Sequence, residues 1–228
     1  MTQTNTSETP NQTRQEPASA SFGNTAAILA GAAVIATTLN AQTTAISDID
    51  VLNYALTLER LEANFYTEGL KRFSPSDFSS SAAAQNLGNS GDLFGDSVTG
   101  DAYSYLLLIR SHEQTHVRTL IRTIQSLGGT PKPACTYKFN YNSIDEFLAI
   151  GKLLEDTGVM AYDGAVRLIK SPALLTAAAT IATVEGRHAA FLRLLTGDVP
   201  FPAAFDTPKT MAEILAAAGG FIASCPAS

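Results

Sequence analysis

Two copies of a Glu-x-x-His pattern stand out in this chain, at Glu113-Gln-Thr-His116 and Glu185-Gly-Arg-His188. The chain has 228 residues and only three histidines, and two of the three complete such a pattern. On a helix, side chains three residues apart leave the same face about one turn from each other. A carboxylate and an imidazole in that arrangement can bind one metal ion together, so two copies can bind a pair of ions.

The helices that must position these patterns carry apolar stripes of helical spacing. The stripe around the first pattern consists of Ala102, Leu106, Ile109, Glu113, His116, Leu120 and Leu127, and that around the second of Leu174, Ala178, Ile181, Glu185, His188, Leu192 and Leu195. Two further stripes also carry a glutamate at mid-length, Glu59 between Leu52 and Leu70 and Glu155 between Ile144 and Ile169. Four predicted helices therefore each place one carboxylate on the face that should be apolar.

Four clustered carboxylates in an apolar core are costly, because each loses its hydration and they repel one another. The alternative interpretation is that these glutamates are surface charges at the edges of the apolar stripes. That interpretation could account for one such glutamate, but hardly for four, one in the middle of each stripe. Two divalent cations remove the penalty, since about four negative charges then meet about four positive ones and both histidines stay neutral. Glutamate oxygens with imidazole nitrogens suit iron or manganese, and they also accept zinc.

This set of residues resembles the ferritin-like di-iron carboxylate proteins, in which two helices each supply a Glu and two others each supply a Glu-x-x-His. The resemblance implies an all-α fold, a ferritin-like four-helix bundle with a long crossover between helices two and three and a short C-terminal helix. It implies two iron ions as cofactors, with two manganese ions as the alternative. The metal ligands it implies are Glu59, Glu113, His116, Glu155, Glu185 and His188.

Within that superfamily, two segments are similar to a subgroup of secreted or stress-related bacterial proteins that includes relatives of plant desiccation-related proteins. The first segment is Asn53-Tyr-Ala-Leu-Thr-Leu-Glu59-Arg-Leu-Glu62-Ala-Asn-Phe65-Tyr66. The second is Phe205-Asp-Thr-Pro208, which a short apolar helix follows.

Three residues near the predicted ligands need separate interpretation. Glu62 follows Glu59 by one turn, and its alternatives are a seventh ligand, a partner for a histidine N–H and a partly exposed charge. Tyr66 points toward the same core, where it can hydrogen-bond a ligand or any other buried acceptor. His112 points about 100° away from the ligand face of its helix, so we predict that it lies outside the site.

Capping residues and helix breakers predict where the bundle helices begin and end. The predicted helices run from near Ser47 to Gly69, from Thr99 to Gly128, from a capping box at Ser143 to Ser171, and from Pro172 onward. Residues 71–98 are predicted to form a long loop. Residues 128–142 reach about 45–50 Å when extended, which suffices for a crossover that makes helices two and three parallel. The short turn at 170–172 makes helices three and four antiparallel.

Charge and composition divide the chain into four predicted parts. Residues 1–22 form a polar leader predicted to be disordered, 47–197 the bundle, and 198–228 a C-terminal extension with a short helix. Residues 23–46 are apolar, Ala-rich and uncharged. They are either the apolar part of a signal peptide or a helix that packs on the bundle or on a neighbouring subunit. The net charge of −6 argues against nucleic acid as a partner.

The two cysteines bear on the compartment in which the protein resides. Cys135 lies in the predicted crossover and Cys225 in the tail. A disulfide between them suits an extracytoplasmic location, periplasmic or secreted, whereas two free thiols would suit the cytoplasm.

The predicted function is that of an oxidoreductase that oxidises Fe(II) or consumes peroxide or oxygen. A manganese pair in the same ligands would favour peroxide disproportionation. The alternative is a non-enzymatic metal-binding or desiccation- and stress-protective scaffold. The expected partners are metal ions and oxygen or peroxide, while a homo-oligomer, including a storage cage, stays open.

Overall fold

The computed structural model describes residues 45–83, 86 and 102–226. The chain divides into two units, Met1–Thr43 and Thr44–Ser228, and the described residues belong to the second. The predictions for residues 1–22 and for almost all of 23–46 therefore lie outside the described residues, as do residues 84–85 and 87–98 of the predicted loop. None of the described helices is both long enough and apolar enough to cross a membrane.

Four long helices form most of the described structure, and they confirm the predicted all-α bundle. They are α1 (Asp48–Arg72), α3 (Ala102–Ser126), α4 (Ile144–Ala165) and α5 (Pro172–Leu195), with the short helix α2 (Pro75–Ser79) between α1 and α3. A 3₁₀ turn (Val166–Leu168) follows α4, and helix α6 (Met211–Ala218) is followed by a second 3₁₀ turn (Gly219–Phe221). Strands β1 (Thr136–Tyr137) and β2 (Ile222–Ser224) are short.

Side-chain caps fix where the helices begin. Ser47 and Asp50 form a reciprocal capping box at the start of α1. At α4 the predicted capping box is only half formed, because Glu146 accepts the N–H of Asn142 and not that of Ser143. Pro172 occupies the first turn of α5, where its missing N–H has no helical partner to lose.

Contacts between helix ends establish the directions of the helices. The Tyr103 hydroxyl, at the start of α3, donates to the carbonyl of Leu70 near the end of α1 at 3.0 Å. Asp48 at the start of α1 accepts from the backbone N–H groups of Lys170 and Ser171, which follow α4. Both α3 and α4 are therefore antiparallel to α1 and parallel to each other, so residues 127–143 form the crossover.

The structure corrects two details of the predicted helices. Helix α1 continues to Arg72, beyond Gly69, and α2 lies in the predicted loop because Ser74 and Asp77 form a second capping box. Leu127 lies beyond the end of α3 and is 47% exposed, so it does not belong to the inward stripe.

A disulfide joins the crossover to the C-terminal tail. Cys135 and Cys225 are bonded, as the sequence predicted. Beside the bond, β1 and β2 pair antiparallel, with Thr136 opposite Ser224. The sequence did not predict this pairing, because two- and three-residue strands give no periodic signal.

Candidate metal centre

Six polar side chains from four helices converge in the middle of the bundle. Their positions are Glu59 on α1, Glu113 and His116 on α3, Glu155 on α4, and Glu185 and His188 on α5. The four carboxylates are at most 1% exposed. Each glutamate lies on the apolar stripe of its helix. Because that stripe faces the core, the carboxylate is buried in the bundle interior.

The first group of contacts surrounds His116, and we call it the first position. His116 Nδ1 lies 3.1 Å from Glu59 Oε2 and 3.1 Å from Glu185 Oε1. Glu113 Oε2, one turn earlier on the same helix, lies 3.5 Å away. Carboxylates from three helices therefore face one imidazole nitrogen.

The second position surrounds His188 in a closely related way. His188 Nδ1 lies 3.1 Å from Glu113 Oε1 and 3.3 Å from Glu155 Oε2. Glu185 Oε2, one turn earlier on α5, lies 3.7 Å away. Three helices again contribute.

Glu113 and Glu185 belong to both positions. Each directs one carboxylate oxygen toward His116 and the other toward His188. In each of the two four-residue groups, the potential ligand atoms lie within 4.8 Å of one another. This arrangement suits two adjacent metal ions that share two bridging carboxylates.

The chemistry of the donor atoms fits such ions. Both oxygens of Glu113 and of Glu185, Oε2 of Glu155 and Nδ1 of His188 are buried, and the described residues give them no hydrogen-bond partner. Buried polar atoms without partners are costly and uncommon in folded proteins. These atoms face one another at the two positions, so a bound cation would satisfy them together.

The pKa values of the site show how strongly these charges act on one another. Burial, followed by the charges of Glu185 and Glu113, raises the pKa of Glu59 well above its ordinary value. Burial alone would raise the pKa of Glu185 too, but interactions with His116 and His188 lower it to about 2. Burial opposes the charged imidazoles, yet their carboxylate neighbours raise the pKa of both His116 and His188 to about 12.

Two tyrosines hold the outer carboxylates in place. The Tyr66 hydroxyl on α1 donates to Glu155 Oε1 on α4 at 2.5 Å. The Tyr162 hydroxyl on α4 donates to Glu59 Oε1 on α1, also at 2.5 Å. Each tyrosine follows the glutamate of its own helix by seven residues and binds the glutamate of the other. Sequence reasoning singled out Tyr66 but not Tyr162, although the same offset of seven identifies both.

Glu62 is a fifth buried carboxylate, in addition to the four glutamates of the six converging side chains. It is 4% exposed, which excludes the interpretation as a partly exposed charge. A Cβ atom at Gly158 on α4 would lie 3.1 Å from Glu62 Oε1 and 3.6 Å from Glu185 Oε2. Glu62 therefore occupies space that the missing side chain of Gly158 leaves free.

His112 was predicted to lie outside the site, and it belongs to neither group of potential ligand atoms, yet it contacts the proposed ligand His188 directly. Its Nδ1 lies 3.0 Å from His188 Nε2, and the two rings stack at an interplanar angle of 12°. The side chain does point away from the ligand face of α3, but α5 carries His188 across to meet it. A proton on His188 Nε2 can thus be directed to His112, which leaves His188 Nδ1 to face the carboxylates.

Two spaces adjoin the centre. An apolar cavity of about 50 Å³ lies about one helical turn from the first position, and its walls include Ala55, Leu120, Ile181 and Tyr162, the tyrosine that donates to Glu59. Ala55 and Ile181 lie one turn before Glu59 and Glu185, and Leu120 lies one turn after His116. On the other side of the centre, an open groove of about 300 Å³ between α3 and α5 reaches His188; its lining is Tyr105, Leu108, Ile109, His112, Arg187, His188 and Phe191.

Comparisons with known proteins agree with this architecture. A family model described as a ferritin-like domain matches residues 47–198, a range that includes all six converging residues. The chain is also similar to protein rds1 of Schizosaccharomyces pombe, with 28% identity over 182 residues. That match covers 79% of this chain and 40% of rds1, so the chain spans well under half the length of this relative.

Proposed function

The chain belongs to the ferritin-like domain family, and on that premise we propose that it binds two iron or manganese ions and acts as an oxidoreductase. The proposed ligands are Glu59, Glu113, His116, Glu155, Glu185 and His188. The observation that carries the proposal is the set of buried carboxylate and imidazole atoms without hydrogen-bond partners at the two positions. Four glutamates and two histidines supply hard oxygen donors with imidazole nitrogen, a combination that suits iron and manganese.

The residues of the chain have distinct roles in this proposal. Glu113 and Glu185 each direct one oxygen toward each position, so they would hold both ions. Tyr66 and Tyr162 orient the terminal carboxylates by donating to the oxygen that faces away from the neighbouring histidine. When bound, the two ions supply a pair of one-electron redox centres.

Fe(II) oxidation is the reaction that we favour. Two Fe(II) substrate ions each lose one electron, and one O₂ molecule takes both electrons together with two protons and leaves as hydrogen peroxide. The mainly apolar cavity near the first position supports O₂ as the oxidant, because such a space admits an uncharged apolar molecule more readily than peroxide, which gives up hydrogen bonds to water on entry. With manganese as the resident metal, peroxide consumption is the corresponding proposal.

Metal content is the first test. Protein stripped of metal, reconstituted anaerobically with Fe(II) or with Mn(II) and then desalted should retain about two ions per chain. Exposure of the Fe(II) protein to O₂ should give Fe(III) and peroxide. Binding of fewer than two ions per chain would contradict the proposal.

A double substitution tests the ligand assignment. Glu113→Ala with His116→Ala removes a bridging carboxylate and the imidazole of the first position, so at least one ion should be lost while helical circular dichroism persists. The matched control is Glu68→Ala, which removes a half-exposed glutamate of α1 that pairs with Lys71 outside the centre. Retention of two ions by the double variant would refute the assignment.

A structural role for the metal is the second candidate. Each position takes donors from three helices, so a bound ion would join those helices more strongly than their packing and hydrogen bonds do alone. Bound metal that raises the Tm, without any turnover of O₂ or peroxide, would favour a metal-binding or stress-protective scaffold.

We also propose an extracytoplasmic location, which the Cys135–Cys225 disulfide supports.

A further inference from the structure

The six proposed ligands and the two tyrosines of the metal centre follow an internal two-fold relation, in which Glu62 has no counterpart. Glu59 and Tyr66 on α1 correspond to Glu155 and Tyr162 on α4, and the two Glu-x-x-His patterns correspond on α3 and α5. Three residues after Glu59 the chain has Glu62, whereas three residues after Glu155 it has Gly158. One helix thus supplies an extra carboxylate where the other supplies no side chain.

The Glu62 carboxylate lies beside the second position, outside the four-residue group whose potential ligand atoms lie within 4.8 Å of one another. Glu62 Oε1 and Glu185 Oε2 both lie within 3.6 Å of the point that a Cβ atom at Gly158 would occupy. Glu185 Oε2 is the oxygen that faces His188 Nδ1. After burial, the charges that raise the pKa of Glu62 are those of Glu185 and Glu155 before those of Glu113 and Glu59. The Glu62 side chain therefore extends from α1 toward Glu185 and Glu155.

Nothing else in the described structure compensates this carboxylate. Glu62 is 4% exposed, and among the described residues it has neither a hydrogen bond nor an ion pair. Its other surroundings are mainly apolar. A cavity of about 40 Å³ beside it is lined by leucines, by Thr157 and Gly158, and by the C-terminal residues Ala217, Ala218 and Phe221. A buried carboxylate among four others needs a cation or a proton.

We propose that Glu62 is a seventh metal ligand, specific to the second position, and that it makes the two positions unequal. This inference rests on the proposed two-metal function. The second position then has donors from Glu113, Glu155, Glu185, His188 and Glu62, and the first position lacks a counterpart. The extra negative charge makes the second position the tighter one, so two divalent ions bind in two steps.

Mn(II) titration of the metal-free full-length protein tests this, with calorimetry and the electron paramagnetic resonance signal of free Mn(II) as readouts. The wild type should show one tight and one weaker step. Glu62→Gln keeps the shape and removes the charge, so the tight step should weaken about tenfold or more. Glu68→Gln, on the same helix but half-exposed, is the matched control and should bind as the wild type does.

Thermal unfolding adds a readout that a merely structural role would not produce. Glu62→Gln should raise the Tm of the metal-free protein, because it removes a buried carboxylate, and should reduce the increase in Tm that Mn(II) produces. Two opposite changes in one variant distinguish a ligand from a packing residue.

Gly158→Ala gives an independent test that leaves the charge in place. The added methyl group would lie 3.1 Å from Glu62 Oε1, so the carboxylate must shift by a few tenths of an ångström from its present position. The tight step should weaken in this variant as well. Unchanged binding in both variants would overturn the role of Glu62, whereas a wild type that binds fewer than two ions would overturn the proposed function itself.

Discussion

Tyr66 and Tyr162 are equivalent in the internal symmetry of the centre, yet their rings lie in opposite surroundings. The Tyr66 ring packs edge-to-face on Phe65 and Phe147, with centroid distances of 5.2 and 6.3 Å. The Tyr162 ring borders the apolar cavity beside the first position. Aromatic rings fill the core on one side of the metal layer, where the open groove between α3 and α5 also lies, and the other side contains the apolar cavity.

This difference indicates a division of labour along the bundle. The aromatic side consists of rings in close contact, such as the stacked pair Phe65 and Phe147 at 4.7 Å, and it stabilises the fold. The metal layer and the cavity contain atoms without partners and unfilled volume, which cost stability. The stability that aromatic packing contributes thus offsets the cost of the metal layer and the cavity.

The largest expected effect is a loss of stability on the aromatic side. Phe147→Ala should lower the free energy of unfolding by about 3–5 kcal/mol, because a fully buried ring that contacts several others is lost. Leu120→Ala, at the cavity wall, should cost about 2 kcal/mol, the lower end for leucine. Urea denaturation of the metal-free proteins measures both values. Equal losses would contradict the division of labour.

A smaller loss is expected from added volume on the same side. A Cβ atom at Gly69 would lie 2.1 Å from Phe147 Cε2, so Gly69→Ala should force the ring to move at a cost of about 1–3 kcal/mol. Gly186→Ala on α5 is the control, since nothing lies within 4 Å of its Cβ position. That variant should gain about 0.4–1 kcal/mol in the same denaturation experiment. A neutral Gly69→Ala would mean that the aromatic side is looser than described.

The metal layer should respond to pH, whereas the aromatic side should not. The raised pKa values of Glu59, Glu62 and Glu155 mean that the unfolded state ionises first, so stability falls as pH rises above their ordinary value of 4.5. The pKa values of the two ligand histidines, raised to about 12, act in the same direction above their ordinary value of 6.5.

The Tm of the metal-free protein should therefore fall between about pH 6 and pH 8. Saturating Mn(II) should reverse the slope, because metal binding requires deprotonated ligands. Phe147→Ala should lower the Tm without changing its slope with pH, and a steeper or flatter slope in that variant would argue against separate roles for the two layers.

The smallest effect on stability is expected from filling the cavity. Ala178 lines it, so Ala178→Leu should raise the free energy of unfolding by about 0.5–2 kcal/mol. Stopped-flow absorbance should show Fe(II) oxidation by O₂ slowed several-fold and oxidation by peroxide unchanged. Ala179→Leu, on the exposed face of α5, is the control for both rates. Equal slowing with the two oxidants would remove the cavity as an O₂ path.

The helical period and residue chemistry were sufficient to predict the bundle and the six converging side chains. The helical period determines which residues of a stripe share the buried face. The spacing of apolar residues alone could therefore place Glu59 and Glu155 on the buried faces of their helices at the same level of the bundle. The resemblance implied the crossover, and the length of residues 128–142 permitted it. The positions of the two cysteines favoured the disulfide over two free thiols.

Features that depend on the meeting of two helices could not be predicted in this way. His112 points away from its own ligand face, and only the position of α5 brings His188 to it. Gly158 carries no side chain, and its significance appears when Glu62 from another helix fills the space. The β1–β2 pairing depends on the fold of the tail, because strands of two and three residues carry no pattern.

The Cys135–Cys225 bond also determines what a single cut in the backbone can release. Between α5 and α6 the chain carries Val199, Phe201 and Phe205, which are 59%, 79% and 88% exposed, so this segment is the natural target for a protease. Both ends of such a cut lie inside the covalent loop that the two sulfurs close. The nicked protein therefore stays one molecule and keeps α6 attached until a reductant opens the bridge.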